Sequence, residues 1–165
     1  MRKFVGMGVI ALLVSACGGP DAEGTIETED GTITYEADSD GTEVSFSASN
    51  DNGEVMQINS GGGVEVDLPD GYTLFPGASV VTNMNMVRND MNIANIIFNS
   101  TAQPAQVAEF YRDQAVAAGI EINNEATING AVIFSGVGEG DTTFNISASP
   151  SEGGSSAQLS LSTPR

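Results

Sequence analysis

Three Asx-Gly dipeptides divide the first third of the chain into stretches in which apolar and polar residues alternate. They are Asp30-Gly31, Asp40-Gly41 and Asn52-Gly53. Asx-Gly pairs supply the positive φ angles that tight hairpins need, and strict alternation is typical of a strand with one apolar face. The pattern predicts an antiparallel β-meander over residues 24–68. Short solenoid-like rungs are the alternative, although such rungs normally need more repeats to bury a core.

Residues 69–165 continue the alternation but interrupt it with one helical stripe. The stripe recurs at three- and four-residue steps and consists of Val107, Phe110, Tyr111 and Ala115. This is the period of a helix that packs one face on a sheet. Pro104 suits the first helical position, and Gly119 suits the left-handed residue after the helix end. We therefore expect one principal helix over Pro104–Ala118. The expected fold class is an antiparallel β-rich α+β protein, in which the meander precedes a ββαββββ-like domain.

The first sixteen residues have the order of a secretory signal peptide. Arg2 and Lys3 precede the apolar run Phe4–Val14, and the small residues Ser15 and Ala16 follow it. The run is shorter than the ~20 apolar residues that a membrane-spanning helix needs. Two alternatives to a lipoprotein signal are a plain signal peptide that happens to contain a cysteine near its end, and a buried apolar strand.

The four residues Val14-Ser15-Ala16-Cys17 resemble the lipobox of bacterial lipoproteins. In that family the cysteine is acylated and becomes the new N-terminus, so the resemblance implies lipid attachment at Cys17, the one cysteine of the chain. It also implies a signal peptide at 1–16 and a lipid-anchored linker at 17–23. Gly18 stands where an Asp would favour the inner membrane. The resemblance therefore implies attachment to the periplasmic face of the outer membrane.

A second resemblance covers about residues 68–146. Phe75-Pro76-Gly77-Ala78, Phe110-Tyr111-Arg112 and Ala117-Ala118-Gly119 are similar to segments of uncharacterised proteobacterial lipoproteins with a Tyr-Pro-Gly-Ala segment and a Phe-Tyr-Arg helix. This chain has Phe75 where a Tyr is common, and Gln103-Pro104-Ala105-Gln106 where Ser-Pro-Glu-Glu is usual. The second departure implies a weaker helix cap. The family brings no known activity with it.

Composition excludes several classes of function. Residues 17–165 carry 22 acidic residues against three arginines, with no lysine, histidine or tryptophan. Such a charge repels nucleic acid phosphates. Without histidine or lysine, the usual nucleophilic triads, Ser-Lys pairs and Schiff bases cannot form, and the usual zinc sites lack ligands. We expect a protein that is not an enzyme and needs no cofactor.

The best candidate for a metal site consists of Glu36, Asp38, Asp40 and Glu43. Asp38-x-Asp40-Gly41 looks like the middle of an EF-hand loop. The twelfth position would be Ser47 in place of a bidentate Glu, and strands rather than helices are predicted on both sides. We therefore expect no metal site here but a hairpin turn with solvated acids. Weak Ca²⁺ binding is the alternative.

Two further features have a plain and a functional interpretation. Arg112 lies three residues after Glu109, the spacing of a helical ion pair, and partner recognition is its alternative role. Met84, Met86 and Met91 are expected to pack under the helix. Their alternative role is an adaptable apolar contact surface.

Together these observations predict a lipid-anchored, non-enzymatic cell-envelope lipoprotein that serves as a structural or interaction module. Its partners would be the membrane, through the N-terminal anchor, and an envelope protein. The alternative is an acidic ligand-binding lipoprotein that captures a divalent cation or a small cationic solute. In the first case the acids form a solvated layer that keeps the protein soluble and is screened by salt.

Overall fold

A computed structural model describes residues 22–37, 43–61, 66–88 and 90–165. The predicted signal peptide and lipobox, including Cys17, lie outside the described residues. The same holds for Asp38 and Asp40 of the metal candidate.

Ten strands and one α-helix make up the regular structure of the described chain. The strands are β1 (Ala22–Thr28), β2 (Gly31–Ala37), β3 (Glu43–Asn50), β4 (Val55–Gly61), β5 (Ser79–Arg88), β6 (Met91–Ser100), β7 (Glu121–Ile128), β8 (Ala131–Val137), β9 (Thr143–Ser151) and β10 (Gly154–Pro164). The helix α1 spans Pro104–Ala117, and one 3-10 turn, Glu139–Asp141, lies between β8 and β9. The prediction of an antiparallel, β-rich α+β protein with one principal helix is confirmed.

All ten strands belong to one antiparallel sheet. Their order is β1-β2-β3-β4-β5-β6-β10-β9-β8-β7, so strands that follow one another in the chain pair as neighbours except at the β6–β10 junction. The chain leaves the middle of the sheet after β6, passes through α1 and returns at the far edge as β7. As a result α1 contacts β7, β8, β9 and β10. β1 begins at Ala22, two residues before the meander expected from Gly24.

Both ends of α1 are capped by local hydrogen bonds. Pro104 occupies the first helical position, and the backbone N–H of Gln103 donates to Oε1 of Gln106 (3.1 Å). At the other end Gly119 has a φ of 80°, and the N–H of Ile120 donates to the carbonyl of Ala115 (2.9 Å). These are the features of a Schellman motif. The helix therefore ends where the sequence predicts, within one residue.

The hydrophobic core lies between α1 and the strands from β6 to β10. Three cross-strand rows form its floor: Phe98, Ala157 and Ala148; Ile96, Leu159, Ile146 and Phe134; and Ala94, Leu161 and Phe144. From the helix, Val107, Tyr111 and Ala115 are fully buried, whereas Phe110 is only partly buried. Three of the four predicted stripe residues therefore face the core fully.

The segment that precedes β5 closes one side of this core. Tyr72 is buried and stacks on Phe144, with ring centroids 6.2 Å apart. Phe75 meets Phe110 edge-to-face at 5.1 Å, and its backbone N–H donates to the hydroxyl of Tyr111 (2.9 Å). The Phe-Pro-Gly-Ala segment therefore contacts the Phe-Tyr pair of the helix directly.

Arg112 makes the ion pair expected from the sequence. Its guanidinium lies 3.5 Å from a carboxylate oxygen of Glu109 and 3.7 Å from one of Glu125 on β7. It also stacks over the ring of Phe134, 5.1 Å from the centroid. Arg112 thus links the helix to the sheet. None of the helices in the described residues has the length and apolar character needed to cross a membrane.

A β-bulge in β5 overturns one expectation. Val80 pairs with Phe98 and Thr82 pairs with Ile97, so Val81 is an extra residue between them, and its side chain is 42% exposed. Because the bulge shifts the alternation by one residue, Val80 faces the helix, whereas Thr82 and the alternate residues after it face the other side.

Met84 and Met86 therefore do not pack under the helix. They pair with Asn95 and Ile93, on the face of the sheet opposite the buried Ala94 and Ile96. The expectation of helix packing was wrong for Met84 and Met86 because regular alternation from Val80 contains no sign of the extra residue. It was also wrong for Met91, which shares its face of β6 with Ile93, opposite Ala94 and Ile96.

Candidate functional site

The sheet has two faces, and the strand register assigns each side chain to one of them. Directly opposed residues in antiparallel strands project to the same side, and successive residues alternate. We call the face that carries Ala94, Ile96 and Phe98 the helix-side face, because these residues pack with α1. The other face, which carries Ile93, Asn95 and Ile97, is called the open face.

The open face is apolar across the first six strands. Its two main rows are Ile26, Ile33, Ala48, Met56, Met86 and Ile93, and then Tyr35, Phe46, Ile58 and Met84. A third row contains Val44 and Ile97. Ile26, Tyr35 and Val44 remain 41%, 44% and 46% exposed. Large apolar side chains are therefore in contact with solvent on this side of the meander.

From β6 onward the open face becomes mostly polar. Its residues there include Asn95, Ser160, Asn145, Ser135, Gln158 and Ser147. Gln158 donates from Nε2 to Oδ1 of Asn95 (3.1 Å). The apolar side of the sheet thus changes at β5 and β6: it faces α1 in the C-terminal half and faces away from α1 in the N-terminal half.

The helix-side face of the meander is correspondingly polar. The side chains there include Glu23, Thr25, Thr34, Glu36, Ser45, Ser47, Gln57 and Asn59, and they line a concavity of about 600 Å³. Every acidic residue within the described strands β1–β4 lies on this face, namely Glu23, Glu27, Glu36 and Glu43. Glu23 is directly opposite Glu36, and such like-charge pairs repel each other.

A second concavity of about 950 Å³ adjoins the first on the same face. It is rich in side-chain amides, which belong to Gln57, Asn59, Asn83, Asn85 and Asn92. Asp67 and Asp70 also line it, and Asn83 is almost fully buried. Amides and carboxylates are ligands for polar solutes and hard cations. This face could therefore receive a polar ligand, whereas the open face could receive only an apolar surface.

An ion pair between the meander and β5 lies at the end of the open face. Nε of Arg88 is 3.5 Å from a carboxylate oxygen of Glu54, and Asn50 donates from Nδ2 to the same carboxylate (2.7 Å). A depression of about 390 Å³ beside this pair is lined by residues that include Ile33, Met56 and Met86. A charged rim therefore borders the apolar rows.

The structure brings together only part of the predicted metal candidate. Glu36 lies near the end of β2, and Glu43 begins β3. Asp38 and Asp40 lie outside the described residues, as does Cys17. Within the described ranges, no three His, Cys, Asp or Glu residues come close enough to hold a metal ion.

Two buried tyrosines are the groups with shifted acidity. Burial raises the pKa of Tyr111 to about 12, although the hydrogen bond from the Phe75 N–H opposes the shift. Burial also raises the pKa of Tyr72. Both lie in the core beside α1, where they serve packing rather than chemistry with a ligand.

A family model described as START domain-like matches residues 80–156. The match runs from the second residue of β5 to the third residue of β10 and includes α1, but it covers less than half of the chain. No curated protein and no solved structure matches. Within the matched region, the space between α1 and the sheet is filled by buried side chains that include Phe98, Tyr111 and Phe144. A ligand would therefore have to use the open face or the polar concavities.

Sequence reasoning identified the alternation in the meander but not the orientation of its two faces. The apolar set Tyr35, Phe46 and Ile58 was evident from the period of two. Its position opposite the helix depends on the bulge at Val81 and on the pairing of β5 with β6. One indirect signal of the reversal was present in the sequence. Val80 is apolar, whereas Asn83 and Asn85, which lie on the same face of β5 after the bulge, are polar.

Proposed function

We propose that this chain is a lipid-anchored, non-enzymatic cell-envelope lipoprotein whose β-meander is an interaction module. The observation that supports the proposal is the apolar open face, where Ile26, Tyr35 and Val44 are more than 40% exposed. Contiguous exposed apolar surface on a water-soluble domain is typical of a contact site. The lack of histidine, and of lysine after Lys3, supports a role other than catalysis.

In this proposal the two parts of the sheet have different tasks. Residues 69–165 form the ββαββββ-like domain, which holds the closed core. Residues 24–68 extend its sheet and present the contact face. The domain boundary at 68/69 comes from the sequence and remains a proposal.

The anchor would hold the meander close to the outer membrane. β1 begins at Ala22, five residues after Cys17. A fully extended chain reaches at most about 3.6 Å per residue, so this segment spans less than about 20 Å. An acylated Cys17 would therefore keep β1 within that distance of the periplasmic face of the bilayer.

The substitution Cys17→Ser tests the anchor. The variant is expected to lose lipid attachment and to move from the membrane fraction to the soluble fraction, because acyl chains supply the binding energy for the bilayer. Fractionation of cells after a salt wash measures the effect. Ser15→Ala, which keeps a small residue before the cysteine, is the matched control and should stay with the membrane. A Cys17→Ser protein that remains in the washed membrane would contradict the anchor.

The second candidate function is capture of a divalent cation or a small cationic solute. The polar helix-side face favours it, because Glu23 and Glu36 share the same concavity with hydroxyl and amide side chains. Under the first proposal these acids are solvated and repel each other. Under the second they would belong to a specific binding site.

Thermal melting in matched salts distinguishes the two functions. We expect NaCl and CaCl₂ to raise the melting temperature equally at the same ionic strength, because screening alone relieves the repulsion. A specific site would stabilise the fold at micromolar Ca²⁺, where NaCl has no effect. In that case Asp38→Asn with Asp40→Asn, or Glu23→Gln with Glu36→Gln, would remove the Ca²⁺ effect and locate the site. That result would favour capture of a ligand over the interpretation in which the acids only form a solvated layer.

A further inference from the structure

We propose that the open face of the meander packs against the same face of a second copy of this chain. Two sheets would then stack face to face with their apolar rows in contact. The inference deepens the proposed function, because it names the partner of the interaction module, and it rests on that module being the meander.

The size of the face fits a dimer. The first row is apolar across six strands, and the other two rows cross the same strands with Gly24, Ser60, Thr82 and Asn95 among their members. With strands about 4.8 Å apart and alternate residues about 6.7 Å apart, three rows give a projected area of roughly 500 Å². Two such faces in contact would remove about 1,000 Å² from solvent, which is the lower limit for a specific protein interface. Side chains that project from the face, such as Tyr35, add to this area.

The distribution of charge also fits a second copy. Each chain is strongly acidic, and two acidic chains repel each other unless their acids are kept apart. Glu23, Glu27 and Glu36 all project from the helix-side face, so face-to-face packing buries none of them. Stacked sheets lie about 10 Å apart, and the carboxylates would point outward from both sheets. The Arg88–Glu54 pair at the border contains one positive and one negative charge. A two-fold axis can therefore place the positive group of one copy near the negative group of the other.

A bilayer fits the same face less well. Residues 4–87 contain neither lysine nor arginine, and acidic residues surround the apolar rows in the sequence. Surfaces that dock on anionic membranes carry basic residues next to their apolar contacts. A second copy offers apolar rows of the same dimensions that contain no charged residue.

The test uses two differently tagged forms of the full-length chain, produced in the same cells and purified through one tag. The interface variant is Tyr35→Asp with Val44→Asp, at positions that are 44% and 46% exposed. The matched control is Thr34→Asp with Ser45→Asp. It adds the same charge to the neighbouring residues of the same strands, both exposed and both on the helix-side face. All forms are also made with Cys17→Ser, which makes the result independent of the lipid anchor.

We expect the second tag to co-purify with the unmodified chain and with the control. The interface variant should lower the co-purified fraction at least about tenfold, because each copy would bring two unpaired carboxylates into an apolar contact. Sedimentation of the Cys17→Ser chain without detergent should give twice the 17.0 kDa mass, less any signal peptide removed. If circular dichroism shows that the aspartates unfold the chain, Tyr35→Ser with Val44→Thr replaces them.

Three results would overturn the dimer. One is the absence of co-purification by the unmodified chain, and another is an equal loss in the control. The third is a monomeric chain whose binding to lipid vesicles is abolished by the interface variant, which would assign the face to the bilayer. If Cys17→Ser stays in the membrane while the copies still associate, the anchor is wrong and the dimer stands.

Discussion

Replacing Tyr111 by alanine is expected to lower the free energy of unfolding by about 4–6 kcal/mol. The side chain is fully buried, and its ring lies 5.8 Å from Phe98 and 5.1 Å from Phe110. Removal of a large buried aromatic ring costs about 3–5 kcal/mol through the cavity that it leaves. The loss of its hydroxyl also takes the acceptor from the Phe75 N–H, which adds about 1 kcal/mol. Urea denaturation followed by far-ultraviolet circular dichroism measures the change.

Phe110→Ala is the matched control for this prediction. Phe110 is the neighbouring aromatic residue but is only partly buried, so its loss should cost about 1–3 kcal/mol. Sequence periodicity predicts the same burial for both residues, whereas in the structure Tyr111 is more deeply buried than Phe110. Equal losses in the two variants would show that the orientation of α1 described above is wrong.

Raising the pH from 9 to 12 is expected to lower the free energy of unfolding by roughly 2–3 kcal/mol. The pKa of Tyr111 is raised by burial from 10.0 to about 12, so the unfolded chain loses this proton first. The stabilising contribution is complete below pH 10 and is lost as the pH rises through about 12, at about 1.4 kcal/mol per pKa unit. Burial of Tyr72 acts in the same direction. Urea denaturation at a series of pH values measures the loss.

Two tyrosine variants isolate the source of this pH dependence. Tyr111→Phe keeps the ring and should remove most of the decline above pH 10. Tyr72→Phe removes the other hydroxyl whose pKa is raised by burial and should remove part of the remainder. Residues 17–165 contain no lysine, so no amine side chain of this part titrates in the same range. A decline that survives Tyr111→Phe would place its origin elsewhere.

Local signals in the sequence predicted the elements more reliably than their orientation. The helix follows from apolar residues that recur with a period of about 3.6. Its C-terminal end follows from Gly119, which suits a left-handed conformation. Both signals come from residues that are close together in the sequence. The Asx-Gly turns at Asp30-Gly31 and Asn52-Gly53 likewise lie between the strands that they were expected to join. Such features need no information from distant parts of the chain.

The orientation of the faces depends on long-range pairing, which alternation does not encode. The alternation in the sequence predicts one common face for Val80, Thr82, Met84 and Met86. The pairing with β6 instead produces a bulge at Val81, so Val80 lies on one face and the other three lie on the opposite face. For the same reason the open face was predicted as apolar without any indication that it would lie opposite the helix. The metal candidate and Cys17 stay predictions, since Asp38, Asp40 and Cys17 lie outside the described residues.

The position of β10 in the sheet has a consequence for the order of folding. Strands β1 to β6 and strands β7 to β10 each pair with neighbours in the chain, and such hairpins form quickly from local contacts. The β6–β10 junction joins the two series across more than fifty residues, and closing so long a loop carries an entropic cost. Leu159 and Leu161 of β10 complete the rows under α1. When the chain is synthesised, its N-terminal part emerges first. The strands of the meander can therefore pair before the core under α1 has formed. We expect its apolar rows to be the first large hydrophobic surface exposed during folding.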